Sequence, residues 1–101
     1  MPATMRVVAL KTLRDFWVKH PRAEGPMSEW YEFVRRAHWR GPLDIKRDFA
    51  SASFVANNRI VFNVGGNKYR VVVVALFRSG TLYLRFVGSH AEYARIDVTE
   101  V

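Results

Sequence analysis

Five residues in the last third of the chain are of types that hold phosphates or move protons: Lys68, Arg70, Arg85, His90 and Tyr93. In a strand beginning at Lys68, side chains alternate, so Lys68 and Arg70 are expected on one face and Tyr69 and Val71 on the other. Arg85 lies among apolar neighbours in TLYLRFV and joins that face if the register allows; otherwise it is an internal salt bridge or an exposed sheet position. His90 and Tyr93 are three residues apart in SHAEY and share a side if that segment is helical. A histidine alone is usually a surface or capping residue and a tyrosine alone usually packs, so the nearby cations give the pair its chemical reading. Without a metal, such a set supports cleavage of RNA by its own 2′-hydroxyl. A base takes the hydroxyl proton, cations stabilise charge on the phosphate in the transition state, and an acid protonates the departing 5′-oxygen. Imidazole suits proton transfer at neutral pH, and aromatic or arginine planes stack unpaired bases.

Other chemistries fit less well. The stretch NVGGNKYR resembles a phosphate loop at first sight, but such a loop leads into a helix. Here a run of β-branched residues follows, so Gly65 and Gly66 are expected to turn a hairpin, with glycine and asparagine supplying positive φ. Carboxylates are few and scattered, with no HExxH motif or paired-acid spacing to hold a divalent ion, and no cofactor is expected. Cysteines are absent, which removes disulfides, thiolate nucleophiles and cysteine-based metal sites.

The 101 residues carry 16 Lys and Arg against 9 Asp and Glu, a formal charge of +7 that favours polyanionic or acidic partners. Length and a half-hydrophobic composition suit one domain over residues 1–101 with a modest core. No apolar run is long enough to span a bilayer, and the start shows neither the apolar core nor the cleavage site of a signal peptide. A cytoplasmic location without membrane contact is therefore expected.

Two amphipathic helices should precede a sheet. After a short β-type run, MRVVAL, the spacing of Leu10, Leu13, Phe16 and Trp17 predicts a helix that Pro21 stops near His20. Pro26 suits a first helical turn, and Met27, Trp30, Tyr31, Val34 and Ala37 trace one stripe, with Gly41-Pro42 expected to end this second helix. Strands are expected at about 59–64, 68–77 and 81–88, consecutive and short-looped, hence an antiparallel meander. Its central member is apolar on both faces. SHAEYARI predicts a helical turn capped by Ser89, leaving IDVTEV as a last strand or a tail.

Residues 62–97, FNVGGNKYRVVVVALFRSGTLYLRFVGSHAEYARID, resemble the C-terminal half of the HigB family of bacterial type II toxins, within the RelE-like superfamily. The shared elements are FN-x-GGN-K-YR, a two-strand meander and a T/S-H-x-EY segment, and NNRIVFN and DIKRDFASASFV upstream are similar too. This resemblance implies an α+β fold, RelE-like, with two N-terminal helices packed on one face of a twisted antiparallel sheet. It implies a metal-independent, ribosome-dependent mRNA endonuclease that arrests growth until a cognate antitoxin, a helix-turn-helix protein, binds it. Carried over residue by residue, Lys68 and Arg70 bind phosphate and stabilise the transition state, with Arg85 next for that role. His90 takes acid/base work and Tyr93 stacking or proton transfer; Lys46 and Arg47 are ribosomal-RNA contacts or simply a solvated face. Ser89 stands where threonine is frequent. The competing expectation is a basic RNA- or ribosome-binding module without cleavage.

Overall fold

In the computed structural model, residues 4–101 are described; residues 1–3, part of the start read above as lacking a leader, lie outside them. The elements run β1 (Arg6–Val8), α1 (Leu10–Lys19), a 3-10 turn (Pro21–Ala23), α2 (Glu24–Arg36), α3 (Pro42–Asp48), β2 (Ser53–Val55), β3 (Arg59–Val64), β4 (Tyr69–Leu76), β5 (Thr81–Ser89) and α4 (His90–Tyr93). This is an α+β architecture with one five-stranded sheet, in the order β1-β5-β4-β3-β2.

The meander β3-β4-β5 lies where the sequence places it, but the sheet is mixed rather than purely antiparallel. The short run at the start of the chain becomes an edge strand, with Arg6, Val7 and Val8 pairing in parallel with Thr81, Leu82 and Tyr83. A parallel pair requires a long crossover, supplied here by the intervening chain. Gly41-Pro42 also has a different task from the one expected. The second helix already ends at Arg36, and Ala37 turns extended. Gly41 is extended and Pro42 opens α3, at the position where a missing N–H costs nothing. IDVTEV forms no strand.

Alternation along the strands sorts the sheet into two faces. Ile60, Phe62 and Val64 of β3, with Val71 and Val73 of β4 and Leu82 and Leu84 of β5, share one buried cluster with Leu13, Met27, Trp30, Val34, Trp39 and Ile45. Phe62 meets Trp30 and Phe49 edge-on at 5.3 and 5.2 Å between ring centroids and stacks with Trp39 at 6.1 Å. The residues between them point the other way: Arg59, Val61 and Asn63 pair with Val74, Val72 and Arg70. This second face carries the cations. It also receives the end of the chain, since Asn57 Nδ2 donates to the Thr99 carbonyl at 3.1 Å.

Register is interrupted once. Val72 pairs with Phe86 but Val73 with Leu84, so Arg85 is the extra residue of a β-bulge. The bulge brings Phe86 onto the cationic face, where its ring centroid is 6.5 Å from that of Tyr93.

The β3–β4 turn uses both glycines as a turn must, with φ of 66° at Gly65 and 69° at Gly66. They differ in surroundings. A Cβ on Gly66 would meet nothing within 4 Å, whereas one on Gly65 would stand 3.0 Å from the Tyr69 ring. Gly66→Ala should therefore cost only left-handed strain, about 1–2 kcal/mol, and Gly65→Ala more. Urea unfolding of the two variants checks the order, and equal losses would contradict it.

Candidate active site

The hairpin turn and the β5–α4 junction come together at one end of the cationic face. Arg70, second in β4, is only 7% exposed. Gly88 lies opposite it on β5, and a Cβ there would run into the Phe86 ring at 2.5 Å. Any side chain at position 88 would thus push the Phe86 ring, which folds back over the strand, out of its place. The main-chain N–H of His90 donates to the Lys68 carbonyl at 2.9 Å, tying the start of α4 to the turn.

The Arg70 guanidinium is held by four contacts. One terminal nitrogen donates to the carbonyls of Asn67 and Tyr69 at 3.1 and 3.2 Å. The other donates to Asn67 Oδ1 at 3.0 Å and to His90 Nδ1 at 2.8 Å. Guanidinium has donors only, so Nδ1 accepts and the ring proton of His90 sits on Nε2. The Arg70 carbon also lies 5.8 Å from the centroid of the Tyr93 ring, within cation–π range. Among the described residues no carboxylate pairs with Arg70. None of its partners is a carboxylate, and at 7% exposure the guanidinium sits where its charge is screened less than in open water, beside an exposed His90.

Ser89 caps α4 as the sequence predicts. Its Oγ accepts from the Glu92 N–H at 3.1 Å, and Glu92 Oε1 accepts from the Ser89 N–H at 2.8 Å, a reciprocal capping box. The bond from the Ser89 backbone is the main reason the Glu92 carboxyl is held below its usual range. A depressed carboxyl pKa stabilises above the unfolded value and loses that contribution as pH falls through the folded one. The α4 cap should thus be intact at neutral pH and loosen on acidification below the ordinary carboxylate range. Amide chemical shifts of Ser89 and Glu92 followed against pH would show this, and Glu92→Gln should remove the transition.

Of the predicted residues, the fold brings Arg70, His90 and Tyr93 together and leaves others apart. Lys68 lies in the turn before β4, exposed, and joins the group through its carbonyl. Arg85 is outside the cluster, with its Nε donating to the Val101 main-chain oxygen at 3.2 Å. Lys46 and Arg47 lie on α3, the first donating to the Ala52 carbonyl at 2.8 Å and the second paired with Asp44 and Asp48 at 3.5 and 3.2 Å. Asn67 and Phe86 were not singled out by sequence reasoning. Asn67 had a signal, since its amide is the only side chain in the turn able to reach back to a cation three residues on; Phe86 had none, because its orientation follows from the bulge. Among the described residues no group of three or more His, Cys, Asp or Glu could hold a metal ion, and no helix is long and apolar enough to cross a membrane.

A basic α+β chain with an arginine and a histidine joined at 2.8 Å and no carboxylate between them has the character of a small protein that acts on phosphodiesters. Comparison with known proteins makes the class specific. Residues 23–96 match the HigB toxin family, the RelE-like toxic component of a toxin-antitoxin system. The chain is 31% identical over 91 residues to the mRNA interferase toxin HigB of Escherichia coli K12, covering 88% of each chain. It matches the mRNA interferase HigB of Shigella flexneri to the same extent, 31% over 91 residues. The chain belongs to the HigB toxin family.

Proposed function

We propose that this toxin cuts messenger RNA on the ribosome, using the RNA's own 2′-hydroxyl and no metal ion. Family membership and the mRNA interferase relatives support the cleavage of mRNA. The observation that carries the chemistry is the bond between Arg70 and His90 Nδ1.

In this reading the scissile phosphate approaches the Arg70–His90 edge. Arg70 stabilises the charge that builds on the non-bridging oxygens, and its other bonds hold it in place beforehand, so little reorganisation is needed. His90 presents Nε2 to the substrate and moves a proton there. Tyr93 stacks a base or takes part in the second proton transfer, and exposed Lys68 binds a flanking phosphate. Attack of the 2′-oxygen on phosphorus expels the 5′-oxygen, leaving a 2′,3′-cyclic phosphate on one fragment and a 5′-hydroxyl on the other.

The antitoxin of the pair is read as a helix-turn-helix protein, the location as the cytoplasm, and the chain as one RelE-like domain with α1 and α2 on the face of the sheet opposite the site. Lys46 remains a ribosomal-RNA contact, and Arg47 a weaker one because two carboxylates already offset its charge.

Inducing the toxin and mapping mRNA 5′ ends tests the reading. Cuts at fixed positions within codons are expected, leaving a 5′-hydroxyl on one fragment and a 2′,3′-cyclic phosphate on the other. His90→Ala should lower the cleavage rate by about 10²–10⁴-fold, the usual contribution of a general acid or base. Full cleavage by a folded His90→Ala variant would remove His90 from the mechanism. Growth arrest without cuts would mean a binding module.

A further inference from the structure

At the opposite end of the sheet from Arg70 the chain forms a second basic concavity. Along β4, Leu76 stands roughly 20 Å beyond Arg70 at about 3.3 Å per residue, and the turn into β5 lies further on. There His38, Trp39 and Arg40, from the segment that joins α2 to α3, meet Phe77, Arg78 and Gly80 of the turn around a notch of about 430 Å³.

Backbone bonds hold the two sides in place. The Met5 N–H donates to the Ala37 carbonyl at 3.0 Å and the Arg6 N–H to the Gly80 carbonyl at 2.8 Å, so β1 ties one side of the notch to the other. The turn is closed by the Gly80 N–H on the Phe77 carbonyl at 3.1 Å. Arg40 is anchored through its main-chain N–H, which donates to Asp44 Oδ2 at 2.8 Å. The cations are therefore gathered by the fold, and their side chains are left to other uses.

Those side chains have no counter-charge. Elsewhere on the surface Lys11, Arg35, Arg36 and Arg47 pair with carboxylates at 2.8 to 3.5 Å. Among the described residues none of these pairs includes His38, Arg40 or Arg78, and no acidic residue lines the notch. Asp44 is already engaged by the Arg40 N–H and by Arg47. Cations of one sign around a concavity repel each other and focus positive potential into it, the more so against an apolar wall such as Trp39 and Phe77 supply. A phosphate answers this arrangement, because its oxygens match the guanidinium forks and it carries a full negative charge.

Distance decides which phosphate. The notch is too far from Arg70 to hold the nucleotides being cut. Backbone contacts position a protein on RNA without reading sequence, which suits docking on a large RNA that is the same in every round of cleavage.

We propose that His38, Arg40 and Arg78 form a docking site for the phosphate backbone of ribosomal RNA, which holds the toxin while Arg70 and His90 work on the message at the other end of the sheet. The inference rests on the reading that this toxin acts on the ribosome.

The test measures binding of the full chain to vacant ribosomes, carrying no message, by co-sedimentation over a range of salt concentrations. Arg40 and Arg78 are exposed, so Arg40→Gln and Arg78→Gln should fold like the wild type. Each should weaken binding several-fold and flatten the dependence of log K on log salt by about 0.7–0.9, the loss of one phosphate contact. Arg78→Lys should restore the slope. On ribosomes loaded with message the two Gln variants should raise KM and leave kcat unchanged, which separates docking from chemistry. If the wild-type chain bound vacant ribosomes and both Gln variants bound them with the same affinity and slope, the docking site would be refuted and the ribosome reading would stand. Weaker binding of the variants to a long single-stranded RNA, but not to vacant ribosomes, would give the notch to the message and overturn the ribosomal assignment. If the wild-type chain neither bound vacant ribosomes nor cut message faster on ribosomes than free, the ribosome reading itself would fall, and the docking site with it.

Discussion

Replacing Arg70 with alanine is expected to abolish mRNA cleavage by this toxin, with a loss of about 10²–10³-fold or more in rate. The size follows from how many jobs one side chain has. On the proposed mechanism Arg70 supplies the charge that meets the phosphate, and it also holds His90, donating to Nδ1 at 2.8 Å. Without it, His90 is free to take the other tautomer and to turn away. Lysine is not a repair. A single ammonium has no planar fork with which to bond Asn67 and His90 from one nitrogen while bonding the Asn67 and Tyr69 carbonyls from the other. Arg70→Lys should therefore stay within about tenfold of Arg70→Ala. Cleavage rates measured beside circular dichroism and antitoxin binding would check this, and a folded Arg70→Lys variant with near-normal cleavage would show that charge alone suffices.

The largest effect on stability is expected at Phe62. Its side chain is 1% exposed and is surrounded by Trp30, Trp39 and Phe49. Truncation to alanine leaves a cavity lined by rigid rings from three separate segments, which cannot collapse into it easily, so a cost of about 3–5 kcal/mol is expected. Domains of this kind are stable by only about 5–15 kcal/mol, so the variant should unfold at a much lower urea midpoint with the slope unchanged. Phe62→Leu, which keeps more of the volume, should recover much of the loss. If Phe62→Ala unfolded like the wild type, the core would have a different centre.

These two residues also show what can be read from sequence. Phe62 and its neighbours in β3 and β4 announce themselves by alternation, because a half-buried strand must bury every second residue. Arg70 and the His90–Tyr93 pair are legible for the same reason: a turn fixed by two glycines sets the phase of β4, and the serine three residues before Glu92 sets the start of α4. What the sequence hides depends on partners distant along the chain. Nothing local in Arg6–Val8 tells whether its neighbour will be parallel or antiparallel. A bulge shifts phase without a reliable local signal, so the placement of Arg85 and Phe86 could not be deduced from counting residues. Gly41-Pro42 was ambiguous in a different way, since glycine followed by proline closes one helix as readily as it opens another.

The parallel pairing of β1 with β5 has a kinetic consequence. Arg6 and Thr81 must meet before that edge forms, which closes about three quarters of the chain into one loop whose entropy is lost before any contact in the pair compensates for it. The hairpin of β3 and β4, by contrast, closes across a tight turn. During synthesis from the N-terminus the first strand therefore waits, unpaired, until the fifth emerges, and α4 follows directly behind. Arg70 can be in place early, but His90 and Tyr93 join it only when nearly all of the chain has been made. On the proposed mechanism the Arg70–His90–Tyr93 group is assembled only at the last stage of synthesis, so a chain that stops short of α4 is expected not to cleave.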